Sequence, residues 1–318
     1  MKNIIITIVV LLALGFGFYS VIQNGDEDVK EGVEVSGEMA DQDIMVKEDL
    51  TPEGDQKVGK DQEEVPAELA WSRKEVIGTS VEGKDIIAYH YGTGSKELLF
   101  VGGIHGGYSW NTAAVAYGLI DYIEDNEGDI SKDIQVTVIP VLNPDGLSKV
   151  APDYESGVSA AEVSATPAKK VAARFNANNV DLNRNFDCEW QANAKWQNKD
   201  VSGGTQAFSE PEARALRDYV GSANPQAVVA WYSAAGGVYS SNCRSGVLPE
   251  TSKLTELYAK ASGYTAYEEF DYYATTGDLV NWLAKEGIPG ISVLLTTHDS
   301  PEIDKNMKGF KALLNYYK

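Results

Sequence analysis

The sequence predicts an α/β protein with a mixed, largely parallel central β-sheet and helices on both faces. Two observations predict this fold class. Short runs of apolar, β-branched and aromatic residues, ended by glycines or turn residues, alternate with stretches whose apolar residues recur at helical spacing. In addition, the 318 residues are 43% hydrophobic, which is the composition of a globular protein with a substantial core. Alternating strands and helices of this kind form sheets that helices cover on both sides.

The first elements lie between residues 85 and 146. Two predicted strands, DIIAYHYG and ELLFVGGIHGG, both end at glycines. A predicted helix, TAAVAYGLIDYIED, follows them because its apolar residues recur at helical spacing. The next run, IQVTVIPVLNPDG, is a buried strand that stops at an Asn-Pro-Asp-Gly turn. A long irregular stretch comes next, at about residues 150–205, and loops of this length usually carry function.

The second half of the chain continues the alternation. SEPEARALRDYV is a predicted helix with Ser209 as N-cap and Glu212 at the capping-box position. AVVAWYSA is a strand, and ETSKLTELYAKASG is a helix closed by Gly263. Asp278 is expected to cap the helix within TTGDLVNWLAKEG. The strand ISVLLTT and a terminal helix with Pro301 in its first turn complete the chain. No internal repeat and no second domain are predicted.

The N-terminal part predicts export. Lys2 precedes an apolar stretch of about 19 residues, from Ile4 to Ile22, which is roughly the length that spans a bilayer. Residues 1–23 are therefore a signal peptide or a signal anchor. The positive-inside bias places the rest of the chain outside the cytoplasm. An anchor through residues 4–22 is favoured because no good small-x-small cleavage site precedes Asn24. A cleaved signal, and hence a secreted protein, stays open.

The next segment, residues 24–66, is predicted to be an acidic, disordered linker that precedes a single folded domain at 67–318. It contains 15 Asp or Glu residues against 4 Lys, few large apolar residues and no periodicity. The whole chain has a net charge of -20 and no run of Lys or Arg. Because phosphate binding needs a basic surface, nucleic acid is not an expected partner.

Cys188 and Cys243 are the two cysteines of the chain. Their separation excludes a CxxC metal or redox motif. In an oxidising compartment they can form a disulfide, whereas the alternative is two buried, inert thiols.

Six segments together resemble the carboxypeptidase A-type zinc metallopeptidase family. They are GGIHGG at 102–107, NPDG at 143–146, VDLNRNF at 180–186, SEPE at 209–212, AWYSAAGG at 230–237 and ISVLL at 291–295. The resemblance covers about residues 70–318. It implies a zinc ion held by two His and one Glu, a Glu that acts as general base, and an Arg that polarises the scissile carbonyl.

Three of the four positions that the resemblance assigns to the metal and the base have changed. His105 stands at the first ligand position. The second falls at Ser109 and the third at Tyr232, and neither residue is a usual zinc ligand. Leu294 stands where the general base is expected, and leucine cannot accept a proton. No cofactor is therefore predicted to bind tightly. Zinc is expected only if other residues rebuild the site.

The residues that would bind the substrate look intact. The resemblance places Asn183 and Arg184 on the terminal carboxylate of a peptide, where a guanidinium can bind both oxygens. Arg174 stands at the carbonyl-polarising position, and Tyr272 is the candidate for a mobile tyrosine, with ordinary packing as its alternative. Of the remaining residues, His298 is a candidate for the pocket because it follows a strand end. The other three are expected to be structural or solvated: His90, Asp187 and Glu189.

Three hypotheses follow. The leading one is a non-catalytic family member outside the cytoplasm that still recognises peptide C-termini or other carboxylates. The second is an active metallocarboxypeptidase with a rearranged zinc site made of His105, His298 and a loop carboxylate. The third is an interaction or scaffold protein whose pocket is closed by Tyr232 and Leu294.

Overall fold

The computed structural model describes residues 71–318. The predicted signal or anchor and the acidic linker lie outside the described residues. The strands are β1 Ser72–Thr79, β2 Asp85–Tyr91, β3 Lys96–Val101, β4 Ile134–Ile139, β5 Asn193–Trp196, β6 Lys199–Ser202, β7 Ala227–Ser233, β8 Gly237–Ser240, β9 Thr265–Tyr267 and β10 Gly290–Leu295. The helices are α1 Trp110–Asp125, α2 Pro144–Ser148, α3 Pro167–Ala172, α4 Pro211–Ala223, α5 Pro249–Ser262, α6 Leu279–Lys285 and α7 Ile303–Tyr317.

Eight strands form one mixed sheet in the order β1-β2-β4-β3-β7-β10-β8-β9. The central pairs β4-β3, β3-β7 and β7-β10 are parallel, as is β8-β9, whereas β1-β2, β2-β4 and β10-β8 are antiparallel. The predicted fold class is therefore confirmed. Because β3, β7 and β10 run in the same direction, their carboxyl ends meet at one edge of the sheet. In sheets of this kind, this edge is where ligands bind.

Alternate side chains of the central strands enter two separate cores. On one face, residues such as Phe100, Trp231 and Val293 pack against α1, α5 and α7. On the other face, residues such as Leu99, Ala230 and Leu294 pack against α4 and α6. This period of two follows from the strand geometry and explains why these runs are almost continuously apolar. Among the helices of residues 71–318, none is both long and apolar enough to cross a bilayer.

The helix ends confirm two predictions and correct two others. Gly263 ends α5 in the left-handed conformation, and the Asp278 carboxylate caps α6 by accepting from the Asn281 amide. Ser209, however, is not the N-cap of α4. Glu210 occupies that position with Pro211 at the first helical residue, whose missing N–H needs no partner there. Pro301 likewise precedes α7, whose N-cap is Glu302.

The predicted capping box also fails at Glu212, which is fully buried and, with Glu210 as N-cap, is not the third helical residue. Its carboxylate accepts from the Val81 amide and from Asn176 Nδ2. The stretch at 150–205, predicted to be irregular, contains the small helix α3 and the antiparallel hairpin β5-β6. The hairpin lies apart from the main sheet, and its Trp196 packs with Tyr108 beside the cavity described below.

Two glycines explain why the motifs around the site tolerate no side chain. Gly106, next to His105, has φ +43, and a Cβ there would lie 2.8 Å from the Gly146 Cα of the NPDG turn. Gly277 has φ +70, and a Cβ there would lie 2.2 Å from the Arg184 carbonyl oxygen. At both glycines the backbone packs closely against a neighbouring segment of the site. A larger residue at either position would push that neighbouring segment away.

Candidate functional site

A cavity of about 760 Å³ opens at the carboxyl ends of β7 and β10. It collects most of the residues that the sequence singles out: His105, Arg174, Asn183, Arg184, Tyr232, Tyr272, Leu294 and His298. Ser109 does not line it. The cavity is open, so Tyr232 and Leu294 do not close it as the third hypothesis requires.

Strand register explains how Tyr232 and Leu294 meet. They are direct neighbours in the parallel ladder between β7 and β10. His105 follows β3, the neighbour of β7 on the other side, and its ring lies 5.6 Å from the ring of Tyr232. Three positions that the resemblance assigns to metal chemistry are therefore adjacent in space, because they follow adjacent parallel strands.

His105 is a buried imidazole without hydrogen bonds. Neither ring nitrogen has a partner in the part of the chain that the structure describes, although Nε2 lies 3.4 Å from Asp181 Oδ1. Burial, helped by the positive charge of Arg174, lowers the pKa of His105 to about 4. The ring is therefore neutral at physiological pH, with Nε2 beside the Asp181 carboxylate and Nδ1 without a partner among the described residues.

Ser109 lies behind the cavity wall. It is 1% exposed, ends the 3-10 turn Gly106–Ser109, and its Oγ has no hydrogen-bond partner among residues 71–318. It precedes α1 as N-cap but makes no capping bond. A buried hydroxyl without a partner is unusual in a folded protein.

The Tyr232 hydroxyl donates a hydrogen bond to Asn183 Oδ1 over 3.1 Å. Burial, together with the negative charge of Asp278, raises the pKa of Tyr232 well above its ordinary value. The phenol is therefore protonated and directed at an amide oxygen. It is not available as a phenolate ligand.

The donors at these positions do not fit a zinc ion. One imidazole, one enclosed hydroxyl and one protonated phenol stand where protein zinc sites use His, Cys or carboxylate. Within residues 71–318, no group of three His, Cys, Asp or Glu side chains lies close enough to hold a metal. No such group therefore forms around His105 and His298 in the described part of the chain.

Three hydrogen bonds fix the side chain of Asn183. Its Oδ1 accepts from Tyr232 and from the Leu279 amide, and its Nδ2 donates to Asp278 Oδ2 over 2.7 Å. Burial raises the pKa of Asp278, and the charge of Arg184 opposes this effect. The network fixes the amide plane of Asn183 at the cavity wall.

Arg184 is 1% exposed, yet its guanidinium binds carbonyl oxygens and no carboxylate. Nε donates to the Lys195 carbonyl over 2.9 Å, and Nη1 donates to the Asn183 carbonyl. The other terminal nitrogen, Nη2, has no hydrogen-bond partner within residues 71–318, and the side chain lines the cavity. The ring of Tyr273 lies 5.9 Å from the guanidinium carbon.

Arg174, by contrast, is paired. Its Nε and Nη2 bind Asp181 Oδ2 at 2.9 and 2.8 Å, and its guanidinium carbon lies 4.4 Å from the centre of the Trp196 ring. Burial acts to raise the pKa of Asp181, but the charge of Arg174 and the contact with His105 hold it well below its ordinary value. Nη1 of Arg174 has no partner among the described residues, which leaves a donor at the cavity wall.

The remaining predicted residues lie at the rim or outside the site. Tyr272 is 58% exposed and its ring contacts Phe270. Glu189 lines the cavity and pairs with the exposed Arg244, whereas Asp187 pairs with Lys285 away from the cavity. His90 is buried in β2, where Nδ1 lies 3.0 Å from Thr137 Oγ1.

His298 lines the cavity, and its Nδ1 lies 2.8 Å from Ser233 Oγ. Burial, together with the charge of Arg174, lowers its pKa. Sequence reasoning missed Ser233, Tyr108, Trp196 and Tyr273 as cavity residues. For Trp196 the alternating pattern of NAKW was an available signal, because its buried residues recur at every second position.

Cys188 and Cys243 form a disulfide with a Cα–Cα distance of 6.0 Å. Of the two alternatives that the sequence left open, the structure therefore has the bonded form. Each cysteine precedes a residue that lines the cavity, Glu189 and Arg244.

Comparisons with known proteins show the family of the chain. Residues 70–289 match the profile of the zinc carboxypeptidase family. Carboxypeptidase B of Helicoverpa zea is 28% identical over 128 residues, which are 39% of this chain and 29% of that protein. Bacteriocin BCN5 of Clostridium perfringens is 39% identical over 85 residues, or 24% of this chain and 9% of the bacteriocin. The chain thus spans less than a third of either relative.

Solved structures show the same fold at low identity. Bovine thrombin-activatable fibrinolysis inhibitor, in complex with a tick carboxypeptidase inhibitor, superposes with a TM-score of 0.61 and 17% identity over 77% of this chain and 90% of that one. Carboxypeptidase A of Helicoverpa armigera has a TM-score of 0.56 and 19% identity over 78% of this chain and 67% of that one. At such identities the likeness concerns the fold.

Proposed function

This chain belongs to the zinc carboxypeptidase family, and from that premise we propose that it is an extracytoplasmic member that recognises peptide C-terminal carboxylates without zinc-dependent peptidase activity. One observation carries the proposal. Arg184 presents a buried guanidinium to the cavity while its hydrogen bonds go to carbonyl oxygens. A guanidinium with a free terminal nitrogen is suited to bind a carboxylate.

The surroundings of Arg184 support this role. Asn183 uses one Nδ2 proton for Asp278, so the second proton is available to a ligand oxygen. Both residues are at most 5% exposed, so a carboxylate bound there would leave water and interact more strongly with the guanidinium. Tyr272 at the rim stays a candidate for a side chain that closes over the ligand.

We infer the absence of zinc-dependent chemistry from the residues at the expected ligand and base positions. Ser109, Tyr232 and Leu294 supply neither the ligands that hold zinc nor a base that takes a proton from bound water. The proposal therefore assigns the cavity to binding, with a peptide or another carboxylate as partner. Removal of a catalytic group commonly lowers rates by orders of magnitude, and here two ligands and the base are replaced together.

The location outside the cytoplasm is supported by the disulfide, since such bonds persist in oxidising compartments. The predicted membrane segment at residues 4–22 agrees with this location. The sequence leaves open whether the protein is anchored or secreted, and both forms lie outside the cytoplasm. Surface labelling of intact cells with a membrane-impermeant reagent tests this. A protein that is protected until the cells are broken contradicts it.

Isothermal titration with two matched peptides tests ligand recognition. One peptide ends in a free carboxylate and the other in a C-terminal amide. We expect the carboxylate peptide to bind at least tenfold more tightly to the wild type, and Arg184→Ala to remove that difference. Arg244→Ala is the matched control, because Arg244 lies at the rim and pairs with Glu189. Equal affinities of the two peptides for the wild type would overturn the proposal.

Metal analysis of the purified protein tests the second part of the proposal, the lack of zinc-dependent peptidase activity. We expect zinc well below one ion per chain and no release of C-terminal residues from peptides. Stoichiometric zinc together with turnover would instead establish the rearranged metallocarboxypeptidase with His105 and His298.

A further inference from the structure

Ser233 and His298 form a hydrogen-bonded pair inside the cavity. Ser233 is the last residue of β7 and lies beside Leu295, the last residue of β10, in the parallel register. His298 follows β10 by three residues, which brings its ring back over the end of β7. Ser233 Oγ and His298 Nδ1 are 2.8 Å apart, and both side chains line the cavity.

Asn111 fixes the serine hydroxyl from the opposite side. Its Nδ2 donates to the carbonyl oxygens of Thr297 and Ser300 at 2.7 and 3.0 Å, so its Oδ1 faces Ser233 Oγ at 3.2 Å. The same amide therefore positions the hydroxyl and the loop that carries His298. The hydroxyl donates to Asn111 Oδ1, whereas the direction of its contact with His298 Nδ1 follows the imidazole tautomer; with the ring proton on Nε2, Nδ1 accepts from the hydroxyl.

The imidazole is also held in place. The ring of Tyr108 lies 4.4 Å from the ring of His298, and Tyr108 packs in turn on Trp196 at 5.0 Å. A serine within hydrogen-bond reach of a histidine that a third group orients is the arrangement of an activated nucleophile.

We propose that Ser233 and His298 are a nucleophile and general base that give this protein a metal-independent acyl-transfer activity on carboxylic esters. Ser233 Oγ bonds to the ester carbonyl carbon while its proton passes to His298 Nδ1. The carbon–oxygen bond to the alcohol breaks, and the imidazolium returns the proton to the leaving alkoxide. Water then repeats the sequence on the acyl-serine, releases the acid and restores both side chains. Because burial and the charge of Arg174 lower the pKa of His298, its imidazole is unprotonated at pH 8 and can accept this proton.

Arg174 supplies a donor that can stabilise the negative charge on the ester carbonyl oxygen. Because Asp181 binds its Nε and Nη2, Nη1 is the terminal nitrogen without a partner among residues 71–318. A fixed cationic donor at the cavity wall stabilises the negative charge that develops on a carbonyl oxygen. The ester hydrolysis proposed here uses other side chains than the carboxylate recognition proposed above. It does not depend on that recognition.

Labelling with a biotinylated fluorophosphonate, which reacts covalently with activated serines, tests the proposal. The full chain is incubated at pH 8 with excess EDTA, and the labelled peptide is identified by mass spectrometry. We expect one label per chain on Ser233 and slow turnover of p-nitrophenyl butyrate that EDTA does not affect. The site of the label is read in the wild type, so this result needs no variant to fold.

Three variants complete the test. Ser233→Ala should abolish labelling, and His298→Gln should lower its rate at least about 100-fold, which is the usual loss when a general base is removed. Ser292→Ala is the matched control, because Ser292 lines the same cavity and has no histidine partner among the described residues; its rate should equal that of the wild type. The proposal is overturned if folded wild type takes no label, if the label lies elsewhere, or if folded His298→Gln reacts as fast as wild type.

Discussion

The Tyr232 hydroxyl donates a hydrogen bond to Asn183 Oδ1 over 3.1 Å. This contact joins the position predicted for the third zinc ligand to a position predicted to bind a carboxylate. A ligand imidazole at 232 would have turned toward a metal, whereas the phenol turns toward the amide. The phenol at this predicted ligand position thus supports the side chain of Asn183 at the cavity wall.

Tyr232→Phe tests that support. Asn183 Oδ1 keeps the Leu279 amide as a donor, so no buried group is left without a partner. We expect a loss of about 1 kcal/mol in the free energy of unfolding, which is the net value of one intramolecular hydrogen bond, and little change in peptide affinity. Urea denaturation and peptide titration measure the two quantities. An unchanged stability would mean that the bond contributes nothing.

Restoring the replaced positions should restore zinc binding. In the triple variant Ser109→Glu, Tyr232→His and Leu294→Glu, two carboxylates enter a site that is at least 92% buried at each position, so the metal-free form should unfold at a lower temperature than the wild type. Zinc should then raise the melting temperature, because a ligand that binds the native state stabilises it by mass action. Mass spectrometry should find about one zinc per chain.

The matched control for that experiment carries Gln, Asn and Gln at the same three positions. These side chains are similar in size but are not zinc ligands of comparable strength. A folded triple variant that binds no more zinc than this control would mean that the assignment of Ser109, Tyr232 and Leu294 to the metal and base positions is wrong.

The disulfide should contribute strongly to stability. Cys188 and Cys243 are 55 residues apart, and closing a loop of that length in the unfolded chain is worth about 4 kcal/mol in the chain-entropy account. The double variant Cys188→Ser, Cys243→Ser should lose a large part of this in guanidinium unfolding. Glu189→Gln, which breaks the adjacent exposed ion pair with Arg244, should change stability far less. Similar losses in both variants would contradict this account.

His90 should make the protein less stable in acid. Burial, with help from the charge of Arg73, lowers its pKa to about 4, whereas an unfolded chain has the ordinary value of 6.5. Between these values the unfolded state binds a proton that the native state excludes, so stability falls as the pH falls from 6.5 to 4 and is constant above 6.5 on this account. The expected loss at pH 5 is about 2 kcal/mol.

Urea denaturation at pH 7 and pH 5 of the wild type and of His90→Gln measures this contribution. The variant should lose less stability over that interval than the wild type, while His105, which has a similarly lowered pKa, continues to contribute. An identical decrease in the two proteins would exclude His90 as a cause.

Much of the fold followed from sequence because its strands are buried on both faces. Runs such as LLFV and AVVAW are continuously apolar, and a central parallel strand requires that pattern. Helix boundaries were less predictable. Ser209 had the right chemistry for an N-cap, but Pro211 fixes the backbone of the first helical residue and moves the cap to Glu210. The hairpin β5-β6 was missed because its strands are four residues long and carry charged residues on the solvent face.

The site was predictable where it depends on strand ends and not where it depends on loops. His105, Tyr232 and Leu294 meet because β3, β7 and β10 are neighbours, and the sequence placed each of them in or just after a predicted strand. Tyr273 reaches the cavity from a segment without regular spacing, and Trp196 reaches it from a strand of only four residues. The pairing of Ser233 with His298 depends on a loop whose path is fixed by Asn111, which no local pattern in the sequence indicates.

The bond between Cys188 and Cys243 also determines which part of the rim can move. The loops that carry Glu189 and Arg244 are covalently tied, so a bulky ligand cannot enter by separating them. The stretch at residues 269–276 also lines the cavity, includes Tyr272 with 58% of its surface exposed, and has no covalent tie. The disulfide therefore limits the separation of one pair of loops at the cavity and leaves residues 269–276 without such a restraint.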